Sequence, residues 1–331
     1  MAPVRQQMDR LLRVENLKTH FFTRVGIVRA VDGVSFSVAR GEIFGLVGES
    51  GSGKSMTLRS ILRLVPPPGR IVDGHIFYQE DDILTWPESK LPSYRGTEAA
   101  MIFQEPGTAL NPVLRVGYQI SETLREHHDL GKQEMRDRAV ELLSLVGMPA
   151  PERRLAQYPH ELSGGMRQRA MIAIALACSP NLLLADEPTT ALDVTLQDQV
   201  LRLITDLQEQ LQMSVIWVTH DFGVIAMICR RAGVMYAGRL LEIAEVSELL
   251  AEPRHPYTVA LLESIPKYQG RGEILMSIPG SPPDMRHPPS GCSFHPRCRF
   301  AIEECRRANT PLCEVSPAHF SACIRVGEIW R

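Results

Sequence analysis

"GEIFGLVGESGSGKSMTLRSILRLVPPPG", residues 41–69, joins an apolar run, a glycine-rich turn and a helix-like segment stopped by prolines. The run GEIFGLV reads as a turn followed by a buried strand, and residues 11 to about 47 read as β throughout. GESGSGKS at 48–55 fits the pattern G-x-x-x-x-G-K-[ST], placed between strand and helix as that motif requires. Gly48, Gly51 and Gly53 let backbone N–H groups turn toward phosphate oxygens, and the helix N-terminus adds partial positive charge. Lys54 is then the residue that reaches the β- and γ-phosphates, and Ser55 the magnesium ligand. Glu49, Ser50, Ser52 and Met56 complete the expected ATP cradle.

A second stretch, LADEPTTALD at 184–193, sets Asp186 and Glu187 side by side at the end of an apolar run. Neighbouring strand residues point to opposite faces, so the two acids need not share one environment. In phosphate-loop enzymes an acid at such a strand end holds magnesium, a role that Asp186 fits. Glu187 is then placed to polarise an attacking water as general base.

The 331 residues are 44 % apolar and 22 % charged, the profile of a globular chain with a real core. Lys plus Arg number 36 against 38 acids, so the charge balance offers no nucleic-acid signal. No run approaches the ~18 apolar residues of a membrane span. The opening MAPVRQQMDRLLRVENL lacks the apolar stretch of a secretion signal, so a cytosolic protein is expected. From about 117 to 179 the pattern is mostly helical. NLLLAD, VTLQDQVLRLITDLQEQLQ and MSVIWVTHD then read as strand, amphipathic helix and strand. LSGGMRQR at 162–169 opens another helix, with Ser163 as its cap.

These stretches closely resemble ABC-transporter ATPases, motif by motif and in family order over residues 11 to about 250. They are GESGSGKS, MIFQEP with Gln104, LSGGM, LLLADEP, ALD with Asp193, and VTHD with His220. The resemblance implies an α/β fold: a P-loop, RecA-like core with an antiparallel β-subdomain and a helical subdomain at about 108–180. It implies ATP and Mg2+ as cofactors, with Ser55, Gln104 and Asp186 around the metal, and His220 on the γ-phosphate beside Glu187. It also implies head-to-tail pairing, in which Ser163, Gly164 and Gly165 close over ATP on a partner subunit. The family's adenine-stacking aromatic has no counterpart by spacing: Val25 stands there, with Phe21 and Phe22 nearest.

Beyond about residue 254 the texture becomes rich in Pro, Gly and Cys, so domains are expected at 9–250 and 251–331. PRHPYTVALLESIP followed by GCSFHPRCRFAIEEC resembles the C-terminal extension of dipeptide, oligopeptide and nickel importer ATPases. That implies an ATPase powering uptake of peptides, or alternatively of nickel or another small solute. Implied partners are a second, different ATPase subunit, two membrane permease subunits and an extracytoplasmic binding protein, with no nucleic acid. The implied location is the cytoplasmic face of a bacterial inner membrane. A non-transport ABC ATPase and an iron–sulfur redox sensor are the competing classes.

Cys292, Cys298, Cys305 and Cys323 follow C-x5-C-x6-C-x17-C, too loose for a zinc ribbon. The expectation is a four-iron–four-sulfur cluster on these thiolates, with Cys313 as a spare, against zinc or simply packed cysteines. His255, beside Pro256 and Tyr257, reads as structural rather than as a ligand.

Overall fold

A computed structural model describes residues 10–190, 192–265, 278–307 and 310–330. Apart from short helical turns, the elements in chain order are β1 (Arg10–Thr23), β2 (Gly26–Ala39), β3 (Ile43–Val47), α1 (Lys54–Ile61), β4 (Gly69–Tyr78), β5 (Asp81–Asp82) and β6 (Ala99–Ile102). There follow α2 (Val116–His127), α3 (Lys132–Leu145), α4 (Gly164–Ala175), β7 (Leu182–Asp186), α5 (Val194–Leu211), β8 (Ser214–Thr219) and α6 (Phe222–Ile228). The chain ends through β9 (Arg231–Tyr236), β10 (Arg239–Glu245), α7 (Val246–Ala251), α8 (Pro256–Glu263), β11 (Cys313–Ser316) and β12 (His319–Ser321). Two compact units divide these elements. One consists mainly of Thr85–Trp217 with Ala39–Glu42, the other of Leu12–Val38, Ile43–Leu84 and 218–330.

In the first unit β6 and β7 pair in parallel, Ile102 opposite Ala185, and β8 follows on the other side of β7. All residues of β6, β7 and β8 are buried, as continuous apolar runs should be in a parallel sheet covered on both faces. Helices of this unit carry apolar stripes. In α5, Val200, Leu201, Ile204 and Leu207 are buried, the spacing of one helix face. In α3 the same spacing buries Met135, Ala139, Leu142 and Leu143.

The second unit holds the four-stranded sheet β2-β1-β4-β5, in which β1 and β4 are antiparallel with Leu12 opposite Tyr78. Its other strands run β3-β9-β10-β12-β11. β3 and β9 are parallel, Phe44 opposite Arg231. β9 and β10 form a tight hairpin over Ala237 and Gly238, whose φ of 49° and 75° are the two positive values such a turn needs. β12 then adds to the edge of β10, with Glu242 opposite Ser321. The tail is therefore partly built into a sheet.

A buried carboxylate fastens that addition. Glu242, with no exposed surface, accepts from the Arg254 N–H at 2.5 Å, the Thr258 hydroxyl at 2.5 Å and pairs with His319 Nε2 at 2.7 Å. Hydrogen-bond partners of this kind are what a polar group removed from water requires. Close by, Tyr257 packs against the rings of Tyr236 and Phe294 at centroid distances of 4.6 and 5.2 Å. His255 is buried, and its Nδ1 caps α8 by accepting from the Tyr257 N–H at 3.0 Å, the structural role expected for it.

The iron–sulfur expectation is corrected here. Cys292, Cys298, Cys305 and Cys323 line one small cavity with His255, Phe294 and Ile324. Yet among the described residues no group of three or more His, Cys, Asp or Glu side chains is placed to hold a metal ion. Burial pushes the Cys292 thiol up to about 11 and the Cys323 thiol up to about 12, and raises Cys298 as well. The four cysteines are packed side chains, and Cys313 is exposed on β11.

Candidate functional site

In the second unit the glycine-rich loop leaves β3 and opens α1, the strand–loop–helix arrangement that the motif demands. Two glycines are compulsory there. A Cβ on Gly48 would lie 2.1 Å from the Met235 carbonyl oxygen, and one on Gly53, at φ 106°, would lie 2.4 Å from that of Ala30. Ser50 and Gly51 are exposed at the tip, while Ser52 and Lys54 are buried. Lys54 Nζ donates to the carbonyls of Gly48 at 2.8 Å and Glu49 at 3.0 Å, curling its ammonium back over the loop. Ser55 and Met56, in the first turn of α1, are half-buried. α1 has no acid in its first turn, so nothing there opposes an anion at the helix end.

His220, also in this unit, stands exposed just beyond the carboxyl end of β8. Asp221 next to it caps α6 by accepting from Gly223 N–H at 2.7 Å, and its own N–H donates to Thr219 Oγ1 at 3.0 Å. Phe22 carries the Arg70 guanidinium 4.1 Å above its ring, and Val25 is exposed.

In the first unit, Asp186 ends β7 and Glu187 follows it directly, as the apolar run suggested. Asp186 is buried and Glu187 half-buried. Glu187 has φ 45°, the left-handed region that an L-residue adopts at a cost. The Thr190 hydroxyl donates to its Oε2 at 2.9 Å. Gln104 is exposed two residues past the end of the neighbouring strand β6. With Ile102 in register with Ala185, Gln104 and Glu187 leave the carboxyl edge of the sheet at the same level. That edge is where open α/β sheets bind ligands.

Ser163 caps α4, its Oγ accepting from the Met166 N–H at 3.3 Å, and both Ser163 and Gly164 are exposed. Gly165 lies against α5, where a Cβ would meet Leu196 Cδ2 at 3.1 Å. Asp193 caps α5 through the Leu196 N–H at 3.0 Å. Thus α4 presents an uncovered N-terminus carrying exposed Ser163 and Gly164, a ready anion-binding end. Three residues at these sites escaped the sequence reading: Thr190, which holds Glu187, and Tyr257 and Arg297, which hold Glu49. A Thr in a loop and an Arg in a cysteine-rich tail carry no local signal of such contacts.

The chain is similar to known proteins along most of its length. Residues 31–190 match the family "ABC transporter" and residues 241–305 the family "Oligopeptide/dipeptide transporter, C-terminal region". A probable peptide ABC transporter ATP-binding protein of Sinorhizobium fredii is 51 % identical over 97 % of this chain and 96 % of its own. An oligopeptide transport ATP-binding protein of Bacillus subtilis is 48 % identical over 95 % and 88 %. A dipeptide transport ATP-binding protein of the same bacterium is 46 % identical over 96 % and 95 %. Among solved structures, a dimeric ATP-binding cassette bound to ADP and phosphate is similar with TM-score 0.64 at 27 % identity, over 71 % of this chain and 98 % of that one. The chain belongs to the ATP-hydrolysing subunits of ABC transporters, in the group that carries the oligopeptide/dipeptide-type C-terminal region.

Proposed function

We propose that this protein hydrolyses ATP to drive peptide uptake through a membrane ABC importer, with residues 9–250 as the nucleotide-binding domain and 251–331 as the importer-type extension. The observation that carries the reading is the strand–loop–helix at 43–61, with its obligatory glycines and buried lysine, in a chain whose relatives are described as peptide transport ATP-binding proteins. None of the helices among the described residues is long and apolar enough to cross a membrane. Permease subunits therefore supply the path in this reading, and the protein works against their cytoplasmic face.

Residues 48–56 cradle the triphosphate, Lys54 neutralising its β- and γ-oxygens. Ser55, Gln104 and Asp186 would hold magnesium through oxygen, the ligand chemistry that this ion takes, and the ion would supply positive charge against the phosphates. Glu187 accepts the proton of the attacking water, and His220 contacts the γ-phosphate. Ser163, Gly164 and Gly165 act on ATP held by a partner subunit, and Asp193 lies in that pairing surface. The cassette dimer of the solved relative supports such pairing. The partner is a second, homologous ATPase, and an extracytoplasmic binding protein delivers the peptide.

The test separates binding from chemistry. Glu187→Gln is expected to bind Mg·ATP as the unaltered protein does while steady-state phosphate release falls by about 10²–10⁴-fold, the usual worth of a general base. Undiminished turnover in that variant removes Glu187 from the role.

A further inference from the structure

Glu49, the second residue of the phosphate loop, is held by a side chain 248 positions further along the chain. Arg297 Nη1 donates to Glu49 Oε2 at 2.7 Å and Nη2 donates to Oε1 at 3.1 Å, a two-pronged pair. The arginine is itself fixed. Its Nε donates to the Pro279 carbonyl at 2.9 Å, Nη2 to that of Ile278 at 3.3 Å, and Nη1 to the Tyr236 hydroxyl at 3.3 Å. Its side chain is only 5 % exposed. The backbone of Glu49 is gripped as well: its N–H donates to the buried Tyr257 hydroxyl at 3.0 Å. Its carbonyl takes the Lys54 ammonium at 3.0 Å. Both Tyr257 and Arg297 lie outside the segment 31–190 that matches the ABC transporter family, and inside the segment 241–305 that matches the peptide-type C-terminal region.

We propose that the C-terminal region positions the phosphate loop through Arg297 and Tyr257, and that this grip sets the affinity for the triphosphate. The inference rests on the reading of residues 48–56 as the ATP cradle and deepens it. Two physical effects are combined. The Tyr257 hydroxyl fixes the peptide plane at Glu49, so the loop keeps its shape without the ligand and less ordering is left for binding to impose. Arg297 neutralises a carboxylate that would otherwise repel an incoming polyanion from the edge of its own site. Neither side chain touches the reacting atoms, so both are positioning residues.

Loss of either one should therefore raise KM and Kd for ATP while leaving kcat within about twofold, the signature of uniform binding. In the full chain, Tyr257→Phe removes one oxygen and is expected to weaken Mg·ATP about threefold, as for a single lost hydrogen bond. Arg297→Gln is expected to weaken it about tenfold or more, since a charge-assisted pair is broken and a carboxylate left behind. Arg297→Lys, which keeps a positive charge beside Glu49 but not the two-pronged geometry, should recover part of that loss. A role confined to folding would not show this rescue.

Hydrogen exchange supplies a readout that needs no nucleotide. The Glu49 amide should exchange about tenfold faster in Tyr257→Phe, its acceptor having been removed. Calorimetric titration with Mg·ATP, with Lys54→Ala as control, keeps the two claims apart. If Lys54→Ala loses binding while Tyr257→Phe and Arg297→Gln bind as the unaltered protein does, the cradle stands and the grip is refuted. If Lys54→Ala binds ATP undiminished, the cradle reading itself falls and the inference with it. Unchanged protection of the Glu49 amide in Tyr257→Phe likewise refutes the hold on the loop.

Discussion

Glu187 offers a test in which stability and activity should part company. Its φ of 45° is one that an L-residue holds at a cost of about 1–2 kcal/mol, and that glycine holds freely. Glu187→Gly would relieve this strain. It would also forfeit the 2.9 Å bond from the Thr190 hydroxyl, worth about 1 kcal/mol, and add about 0.5–1 kcal/mol of unfolded-chain entropy. Those effects offset to within about 1 kcal/mol, so urea unfolding of Glu187→Gly should give a free energy close to that of the unaltered chain. Phosphate release should meanwhile fall by about 10²–10⁴-fold, or about 3–5 kcal/mol of barrier. Glu187→Gln, which keeps the strained backbone, should lose activity equally. A loss of more than about 2 kcal/mol of stability in Glu187→Gly would refute the strain argument. Near-normal turnover would refute the catalytic one.

Other expectations follow from particular contacts. His319→Ala strips one hydrogen-bond partner from the fully buried Glu242 and should cost about 1–3 kcal/mol in denaturant titrations. A cost below about 1 kcal/mol would show that the remaining Arg254 and Thr258 donors suffice. His255 is held at a pKa of about 3 because burial disfavours its charged form. Its neutral state therefore contributes stability that is complete above pH ~6.5 and is lost as the pH falls from there toward about 3, at up to ~1.4 kcal/mol per unit. His255→Asn keeps a capping acceptor but cannot titrate, so its unfolding free energy should fall less steeply between pH 6.5 and 5 than that of the unaltered protein. Equal slopes would contradict this. Gly48→Ala must push a Cβ against the Met235 carbonyl at 2.1 Å, so Mg·ATP binding measured by calorimetry should be lost. Retained affinity would mean that the loop and β9 can separate at small cost.

How much of this was legible in advance depends on whether the signal was local. Loop, lysine and following helix sit within one short stretch, so the phosphate site could be read from GESGSGKS alone. The buried strands β3, β7 and β8 were equally plain, because burial on both faces leaves an unbroken apolar run. The hairpin of β9 and β10 went unread. RAGVMYAGRLLEIAE shows no clean alternation, and its turn uses Ala237 at positive φ, where Asn or Asp would have announced it. The tail was legible as an importer-type extension, but the contacts that hold it were not, for a different reason. Its cysteine spacing suggested a cluster, while what holds it is Glu242 with His319, Tyr257 with Glu49 and Arg297 with Glu49, pairs separated by 77, 208 and 248 positions. No periodicity spans such distances. The strain at Glu187 was invisible too, since LADEPTT looks like an ordinary strand end.

ATP hydrolysis by this chain, in the reading given above, drives peptide import. The most direct measurement places the protein with its permease and partner ATPase in liposomes and follows a labelled oligopeptide, supplied with its binding protein, as ATP is provided on the cytoplasmic side. ATP-dependent accumulation is expected with the unaltered protein and none with Glu187→Gln, although that variant still binds ATP. Accumulation undiminished by Glu187→Gln, or ATP turnover that moves no peptide, would contradict it.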